Sequence, residues 1–352
     1  MFRKPKALVG LDIGSSAVKA VELKQVGKGY KVTAFGSEPV PPDSIVDGAI
    51  IDGASVVDSI KRLFDSRGIK TKDVAASLSG NAVIVKKISL PTMTPAELSE
   101  SIYWEAEQYI PFDIQDVNLD YQILEAGNPA AGKSTMDVLL VAAKKEKIAD
   151  YTGVIGQAGR TAVVVDVDAF ALQNAYEANY GVEPGAVVVL LNVGASATNI
   201  NILQGDQSVF TRDISIGGNA YTEALQKELN LPYEQADRLK RGEVADGGNY
   251  DEARPVLRAV TENVMLEVQK TFDFFKASSN FERITRVVVS GGASRAEGFL
   301  DMLAERFEAP VEIFDPFKKV SFDAKKFNVA PDAIGPTVAV AVGLALRRAG
   351  DR

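Results

Sequence analysis

Between Gly10 and Leu23 the chain reads GLDIGSSAVKAVEL, which gathers the residue types of a phosphate site. Asp12 follows an apolar run. Gly14, Ser15 and Ser16 are small, and Lys19 interrupts the alternation of Val18, Ala20 and Val21. The pattern predicts strand, tight turn, strand. A small-residue tip exposes successive backbone N–H groups, which suit the oxygens of a phosphate chain. Asp12 could hold the waters of a Mg2+ ion, which takes carboxylates together with phosphate oxygens. Lys19 could reach the β- and γ-phosphates as a point charge. The same residues also fit an edge hairpin with a polar turn.

The pattern occurs twice. LDIGSSAV, 11–18, aligns without gaps with LNVGASAT, 191–198. The second copy places Gly194, Ala195, Ser196 and Thr198 where a second phosphate hairpin would be, and it opens on Asn192 instead of an aspartate. Internal repetition of this kind predicts two similar domains clamping one nucleotide.

Composition limits the chemistry. The 352 residues suffice for two or more domains, and 46% hydrophobic with 24% charged residues fits a folded globular protein. A net charge of −8 argues against a general nucleic-acid binder. There is no cysteine and no histidine. Disulfides, thiolate metal sites, cysteine nucleophiles, Ser–His–Asp hydrolysis and most zinc chemistry are therefore excluded. Carboxylates, lysines, hydroxyls, backbone amides and a borrowed metal remain. No apolar run reaches membrane-span length, and Asp12 cuts the apolar run after the basic start, so neither a span nor a signal peptide is expected and the chain reads as cytoplasmic.

Strands and helices alternate, predicting an α/β protein. Residues 1–36 read as strands, and 51–68 as a helix with Val56, Ile60, Leu63 and Phe64 on one face. Strands follow at 74–78 and 82–90. Thr94, Pro95 and Glu97 form a T-x-x-E capping box with proline at the first helical position, opening a helix striped by Leu98, Ile102, Ala106 and Ile110. Strands at 119–124 and 138–143, a helix to about 159, a strand at 161–167 and a helix at 169–178 come next. The second half predicts a hairpin at 187–203, a strand at 210–216 leading into Gly217-Gly218, helices at 220–229, 232–241 and 252–279, and a strand at 286–290 ending in Gly291-Gly292. A helix containing Phe299 and Leu303, an irregular Phe/Lys-rich region at 311–334 and a small-residue helix from Thr337 complete the chain.

Five stretches together resemble the actin/Hsp70/hexokinase superfamily. DIGSSAVK and LNVGASATNI resemble its two phosphate loops. VVVSGGAS, 287–294, resembles its adenosine motif, which implies Gly291, Gly292 and Ser294 beside the nucleoside. DVDAFALQNAYE, from Asp166, resembles the first connecting helix and implies Asp166 as the residue that orients the attacking water. TVAVAVGLAL resembles the second connecting helix. Gly217-Gly218 with the following helix also fits, and ADRLK implies a ribose and base contact through Asp237 and Lys240. Within the superfamily, YWEAEQYIPFDIQDVNLDYQIL, 103–124, resembles the PilM family of type IV pilus assembly proteins, relatives of the division protein FtsA.

The resemblance implies a duplicated, actin-like (ribonuclease H-like) fold with an ATP cleft. Domain I would comprise 1–82, 162–184 and 330–352, with an α+β subdomain at 83–161 inserted in it. Domain II would comprise 185–329, with a helix-rich part at about 219–284. It further implies ATP with Mg2+ as ligands, and a cytoplasmic location at the bacterial inner membrane through the N-terminal cytoplasmic tail of PilN, a single-span protein. Other pilus inner-membrane or motor proteins and a homo-oligomer are also compatible, with membrane contact only indirect. FtsA-like proteins add a C-terminal amphipathic helix, for which GLALRRAGDR is too short. One departure matters: active ATPases of the superfamily begin the second loop with Asp, whereas Asn192 brings no charge and cannot be a base. Tight binding with slow hydrolysis is expected.

Competing readings exist. GNPAAGKST, 127–135, fits the P-loop pattern G-x-x-x-x-G-K-[ST], and VVVD, 163–166, resembles its metal-binding strand. A P-loop requires a helix starting at Lys133-Ser134, but MDVLLVAA reads as a strand. A Rossmann site is weaker, because GLDIG lacks the G-x-G-x-x-G spacing and a strand follows the turn. A sugar kinase of the same superfamily and an FtsA-like filament are the remaining alternatives.

Overall fold

The computed structural model describes residues 7–126, 134–243, 249–278 and 283–351. The chain opens with an antiparallel meander: β1 (Val9–Ile13), β2 (Ala17–Val26) and β3 (Gly29–Pro39). A two-stranded ribbon follows, β4 (Ile45–Val46) and β5 (Ala49–Ile50). Helix α1 (Gly53–Ser66) starts where the Asp52 carboxylate accepts from the Ser55 amide, an N-cap. β6 (Asp73–Leu78) then pairs parallel to β1.

Next comes a small module of β7 (Val83–Pro91), α2 (Pro95–Glu107), β8 (Val117–Glu125) and β9 (Thr135–Lys144). Its three strands form a separate antiparallel sheet, ordered β7-β9-β8. The predicted capping box starts α2: Thr94 N donates to Glu97 Oε2 at 2.7 Å, and Glu97 N donates back to Thr94 Oγ1 at 3.3 Å. Leu98, Ile102 and Ala106 of α2 meet Ile88, Val138 and Leu140 in a core of its own. Most of the P-loop-like stretch, residues 127–133, lies outside the described residues. The residues after it form β9 and not a helix.

α3 (Lys145–Gln157) corrects the expected boundary at 161. Its Tyr151, Val154 and Ile155 pack with Val56, Ile60 and Phe64 of α1 on the first sheet, so packing ends the inserted module at β9. β10 (Thr161–Val167) completes that sheet parallel to β6, and α4 (Asp168–Tyr180) follows.

The second half repeats the plan. β11 (Val187–Val193), β12 (Thr198–Gln204) and β13 (Gln207–Ile214) form a meander. Helices α5 (Gly218–Leu229), α6 (Tyr233–Lys240) and α7 (Tyr250–Ser278) come next, then β14 (Arg286–Ser290) parallel to β11. α8 (Phe299–Phe307) leads to β15 (Val311–Ile313), parallel to β14, inside the region expected to be irregular. The chain then returns to the first domain through 314–328 and α9 (Ala324–Phe327), ending in α10 (Pro331–Ala345). Phe317, Phe322 and Phe327 pack with Phe35 of β3, so the expected boundary at 329 moves to the end of β15.

The sheet orders, β3-β2-β1-β6-β10 and β13-β12-β11-β14-β15, have the same connectivity. Each has three antiparallel strands followed by two parallel ones. α4 and α10 lie between the sheets. β11 shows why: Val187, Val189, Leu191 and Val193 enter the second domain's core, while Val188 and Leu190 face Leu172, Ala175, Val338 and Ala341 of the two helices. A strand buried on both faces reads as a continuous apolar run. Glycine permits the close approach of the layers. A Cβ on Gly10 would overlap the Ala341 carbonyl, and one on Gly343 would overlap the Ala171 carbonyl.

Candidate functional site

The two repeated hairpins have matching registers. In the first, Asp12 pairs with Lys19 across β1 and β2. In the second, Asn192 pairs with Asn199 across β11 and β12. Lys19 Nζ donates to Asp12 Oδ2 at 2.9 Å, and both side chains are mostly buried beside Gly14. At the equivalent place an amide pair replaces the ion pair: Asn192 Nδ2 donates to Asn199 Oδ1 at 3.0 Å. Ser290 Oγ donates to Asn192 Oδ1 at 3.2 Å.

The hairpin tips meet. Ser15 Oγ donates to Ser196 Oγ at 2.9 Å. The amides of Gly14 and Gly194 close their own turns, onto Ala17 O and Ala197 O. Among the described residues the amides of Ser15, Ser16, Ala195 and Ser196 donate to no other backbone group. Four N–H groups at two facing turns make a cradle for anionic oxygens. Thr198 differs from its expected role: it is fully buried, and its hydroxyl donates to Ile216 O at 2.8 Å.

The other glycines lock the second hairpin. Gly218 N donates to Gly194 O at 2.9 Å and Asn219 N to Ala195 O at 2.7 Å, so the first turn of α5 holds the loop. A Cβ on Gly217 would lie 2.6 Å from Gly194 O. Gly291, at φ 90°, sits where a Cβ would overlap Val193 O, and its amide donates to Pro336 O at 2.8 Å, tying the loop to α10. A Cβ on Gly292 would meet no protein atom, so that position is open to a ligand. Ser294 is buried, its hydroxyl donating to Gly291 O at 2.7 Å, which makes it a turn-former. Lys240 Nζ contacts Asp237 Oδ1 at 2.6 Å and Thr222 Oγ1 at 2.8 Å, beside Gly218 O at 3.4 Å. That hydrogen bonding attaches Asp237 and Lys240 to the same end of the second domain.

Asp166 is the correction. It was expected to face the cleft, but it is buried at the other end of α10, where Arg347 Nη1 donates to its Oδ2 at 2.6 Å and Val167 N to its Oδ1 at 2.8 Å. Burial raises its pKa, and the Arg347 charge opposes this. Asp168, two residues on, lies within the electrostatic reach of Asp12. The Ser77 hydroxyl donates to Asp168 Oδ1 at 2.5 Å. Burial, and next the charge of Asp12, push the Asp168 carboxyl up to about 6, against hydrogen bonds from Ser77 and Ser79. The sequence held a signal for this. Ligands gather outside the carboxyl ends of parallel strands. Asp168 lies just past the end of β10, whereas Asp166 is still in the strand, opposite Ser77.

Two further residues were not foreseen. Lys147 of α3 is buried over the Tyr151 ring, 5.0 Å from its centroid, and burial lowers its pKa while Asp150 and Asp168 oppose. Asp213 of β13 joins the domains. Its Oδ1 accepts from Asn199 Nδ2 at 2.8 Å and its Oδ2 accepts from Gly80 N at 2.5 Å. Gly80 O accepts from Val83 N at 3.0 Å, at the root of β7. An unbroken hydrogen-bonded path therefore runs from Asn192 to the base of the inserted module.

Comparisons with known proteins agree with this architecture. The chain matches the family model described as type IV pilus assembly protein PilM over residues 10–349. It is similar to the solved structure of a PilM-PilN type IV pilus biogenesis complex, with 32% identity, a TM-score of 0.83, and coverage of 98% of this chain and 99% of that one. It is 23% identical to the cell division protein FtsA of Pseudomonas aeruginosa, over 89% of this chain and 84% of that protein. MreB 5 of Spiroplasma citri, solved with AMPPNP, shares the fold at 14% identity and a TM-score of 0.52, over 97% of this chain and 95% of that one. The fold is actin-like, and the chain belongs to the PilM family of type IV pilus assembly proteins.

Proposed function

We propose that this chain holds Mg·ATP between its two hairpins and binds the N-terminal cytoplasmic tail of PilN, at the cytoplasmic face of the inner membrane, with nucleotide state modulating the grip on the tail. The observation that carries the clamp is the convergence of two copies of one hairpin. Their tips touch through Ser15 and Ser196, and their free amides line both sides of the contact. The similar structure is a PilM-PilN complex, which supports the partner. No helix among the described residues is long and apolar enough to cross a membrane, which agrees with attachment through a partner.

The donor set fits the nucleotide. Gly14, Ser15, Ser16, Gly194, Ala195 and Ser196 offer amides and hydroxyls, Lys19 offers a charge, and Gly292 leaves space for the nucleoside. The set also fits Mg2+, which keeps several waters and needs only one or two carboxylates beside phosphate oxygens. Among the described residues no three metal-ligating side chains form a cage. Asp12, acting through water, with Asp168 nearby, is the arrangement such an ion uses. When bound, Mg2+ would supply charge neutralisation at the phosphates. Asp168, not Asp166, is positioned to orient a water, and Asn192 supplies no charge to the second jaw. Hydrolysis should therefore be slow, well below the ~1–100 s−1 of kinases.

The route for coupling is the Asn192–Asn199–Asp213–Gly80 path. A ligand shifts a conformational equilibrium only by its differential affinity for the two states. Closure of the second jaw on phosphate would bear on Asp213, and through Gly80 on the module carrying β7. Calorimetric titration of a PilN N-terminal peptide with and without Mg·ATP tests this. Two different affinities are expected. Equal affinities would remove the coupling, and absence of ATP binding would remove the clamp.

A further inference from the structure

The Phe/Lys-rich stretch FDPFKKVSFDAKKFN, 314–328, plays no part in the cleft. It lies along the edge of the first sheet: Val32 N donates to Ser321 O at 2.9 Å, and Ser321 N donates to Tyr30 O at 2.8 Å. Phe317, Phe322 and Phe327 stack against one another with centroids 4.6 and 5.1 Å apart, and all three remain partly exposed. Between them stand Lys318, Lys319, Lys325 and Lys326, all exposed. Lys31, which bridges to Ser321, faces Lys24 directly across β2 and β3, and both are exposed.

This is a concentrated positive face on a chain of net charge −8. Like charges directly opposed across strands destabilise a sheet, so the Lys24–Lys31 pair does nothing for the fold. Among the described residues none of these six lysines makes an ion pair with a carboxylate. The two acids within the stretch are engaged by local backbone amides, Asp315 accepting from Phe317 N at 2.9 Å and Asp323 from Lys326 N at 3.0 Å, and they leave the lysines in excess. Lys318 lies over the Tyr180 ring at 4.2 Å, and Lys326 over Phe327 at 4.6 Å while donating to Thr33 O. Two of the six ammonium groups thus lie over aromatic rings. Lys24 lies seven residues along β2 from the hairpin tip, roughly 23 Å, so this face is remote from the cleft.

We propose that this face binds an anionic lipid bilayer directly. Lysines attract an anionic headgroup layer as point charges, and phenylalanines between them add apolar contact at the interface. The stretch carries lysines and no arginine, so it lacks the forks that read nucleic acid or phosphopeptides. Its proximity to a membrane rests on the PilN reading above. A tail-held protein meets the bilayer at high effective concentration, so a weak contact suffices. The surface would orient the chain, with the hairpin tips pointing away from the lipid.

The test is co-sedimentation of the full chain with vesicles of about 30% phosphatidylglycerol in phosphatidylcholine, against phosphatidylcholine alone. Binding is expected to the anionic vesicles only, and to disappear at about 0.5 M salt. The variant Lys318→Glu/Lys319→Glu/Lys325→Glu should bind at least about tenfold more weakly, since each lysine near an anionic surface strengthens binding about fivefold. It should keep the wild-type melting temperature and PilN-peptide affinity. The Gln counterpart at the same positions should fall between. Equal binding to both vesicles, no binding to either, an unaffected triple variant, or equally tight binding to polyglutamate or DNA would each overturn the proposal. Because the vesicles contain no PilN and no nucleotide, failure of the PilN reading leaves this result independently readable.

Discussion

Ser15 and Ser196 share a hydrogen bond of 2.9 Å although 181 positions separate them in the chain. Each is the tip of one copy of the repeated hairpin, so the bond marks the line along which two domains meet. A small change there should act on ligand binding and not on folding. Ser196→Asp places a carboxylate where phosphate oxygens are expected. ATP affinity should fall at least about tenfold, with stability within about 0.5 kcal/mol of wild type. Calorimetry and thermal melts read the two effects separately.

Asp168 has a measurable signature in pH. Its folded-state pKa of about 6 lies above the ordinary aspartate value of 3.8, so the native state holds the proton more tightly than the unfolded state. Its contribution is fully favourable below the unfolded value and is lost as pH rises through about 6, a change of roughly 2–3 kcal/mol. Asp168→Asn should therefore match wild type near pH 4 and be the more stable protein at pH 7–8. Chemical denaturation at the two pH values checks this. A variant less stable than wild type at pH 8 would contradict the assignment.

Much of this was legible in the sequence. Both hairpins, the capped helix α2 and the glycine pairs followed from local rules, because turns, caps and strand alternation are decided within a few residues. The repeat at 11–18 and 191–198 foretold two sheets of identical order. What escaped depends on long-range packing. Asp166 and Asp168 lie two residues apart in one motif; the end of β10 separates them, and the partner that occupies Asp166, Arg347 just past α10, is 181 residues away in the chain. α3 carries no mark of which sheet it joins. Thr198 and Ser294 look like ligand residues until their hydroxyls are found bonded to Ile216 O and Gly291 O. β15 has three residues, too few for a periodic signal.

Gly217→Ala separates backbone approach from side-chain chemistry. The new Cβ would lie 2.6 Å from Gly194 O and 2.7 Å from Ala195 O. Neither atom can yield without moving the second hairpin. A loss of about 1–3 kcal/mol is expected, together with weaker ATP binding. Gly292→Ala, which meets no protein atom, should leave stability unchanged and affect only the nucleotide.

Asp213→Ala cuts the path between the second jaw and the root of β7. ATP and the PilN peptide should each still bind when titrated alone. The difference in peptide affinity with and without Mg·ATP should shrink toward zero. A variant that retains the full difference would mean that coupling runs elsewhere.

The most direct measurement is titration of Mg·ATP into the wild-type chain, Asp12→Ala and Lys133→Ala. Asp12 stands in the first jaw, and Lys133 belongs to the P-loop-like stretch. The two-jaw clamp predicts wild-type affinity for Lys133→Ala and at least a tenfold loss for Asp12→Ala, about 1.4 kcal/mol or more. Loss of binding in Lys133→Ala with binding intact in Asp12→Ala would place the nucleotide elsewhere and contradict the account.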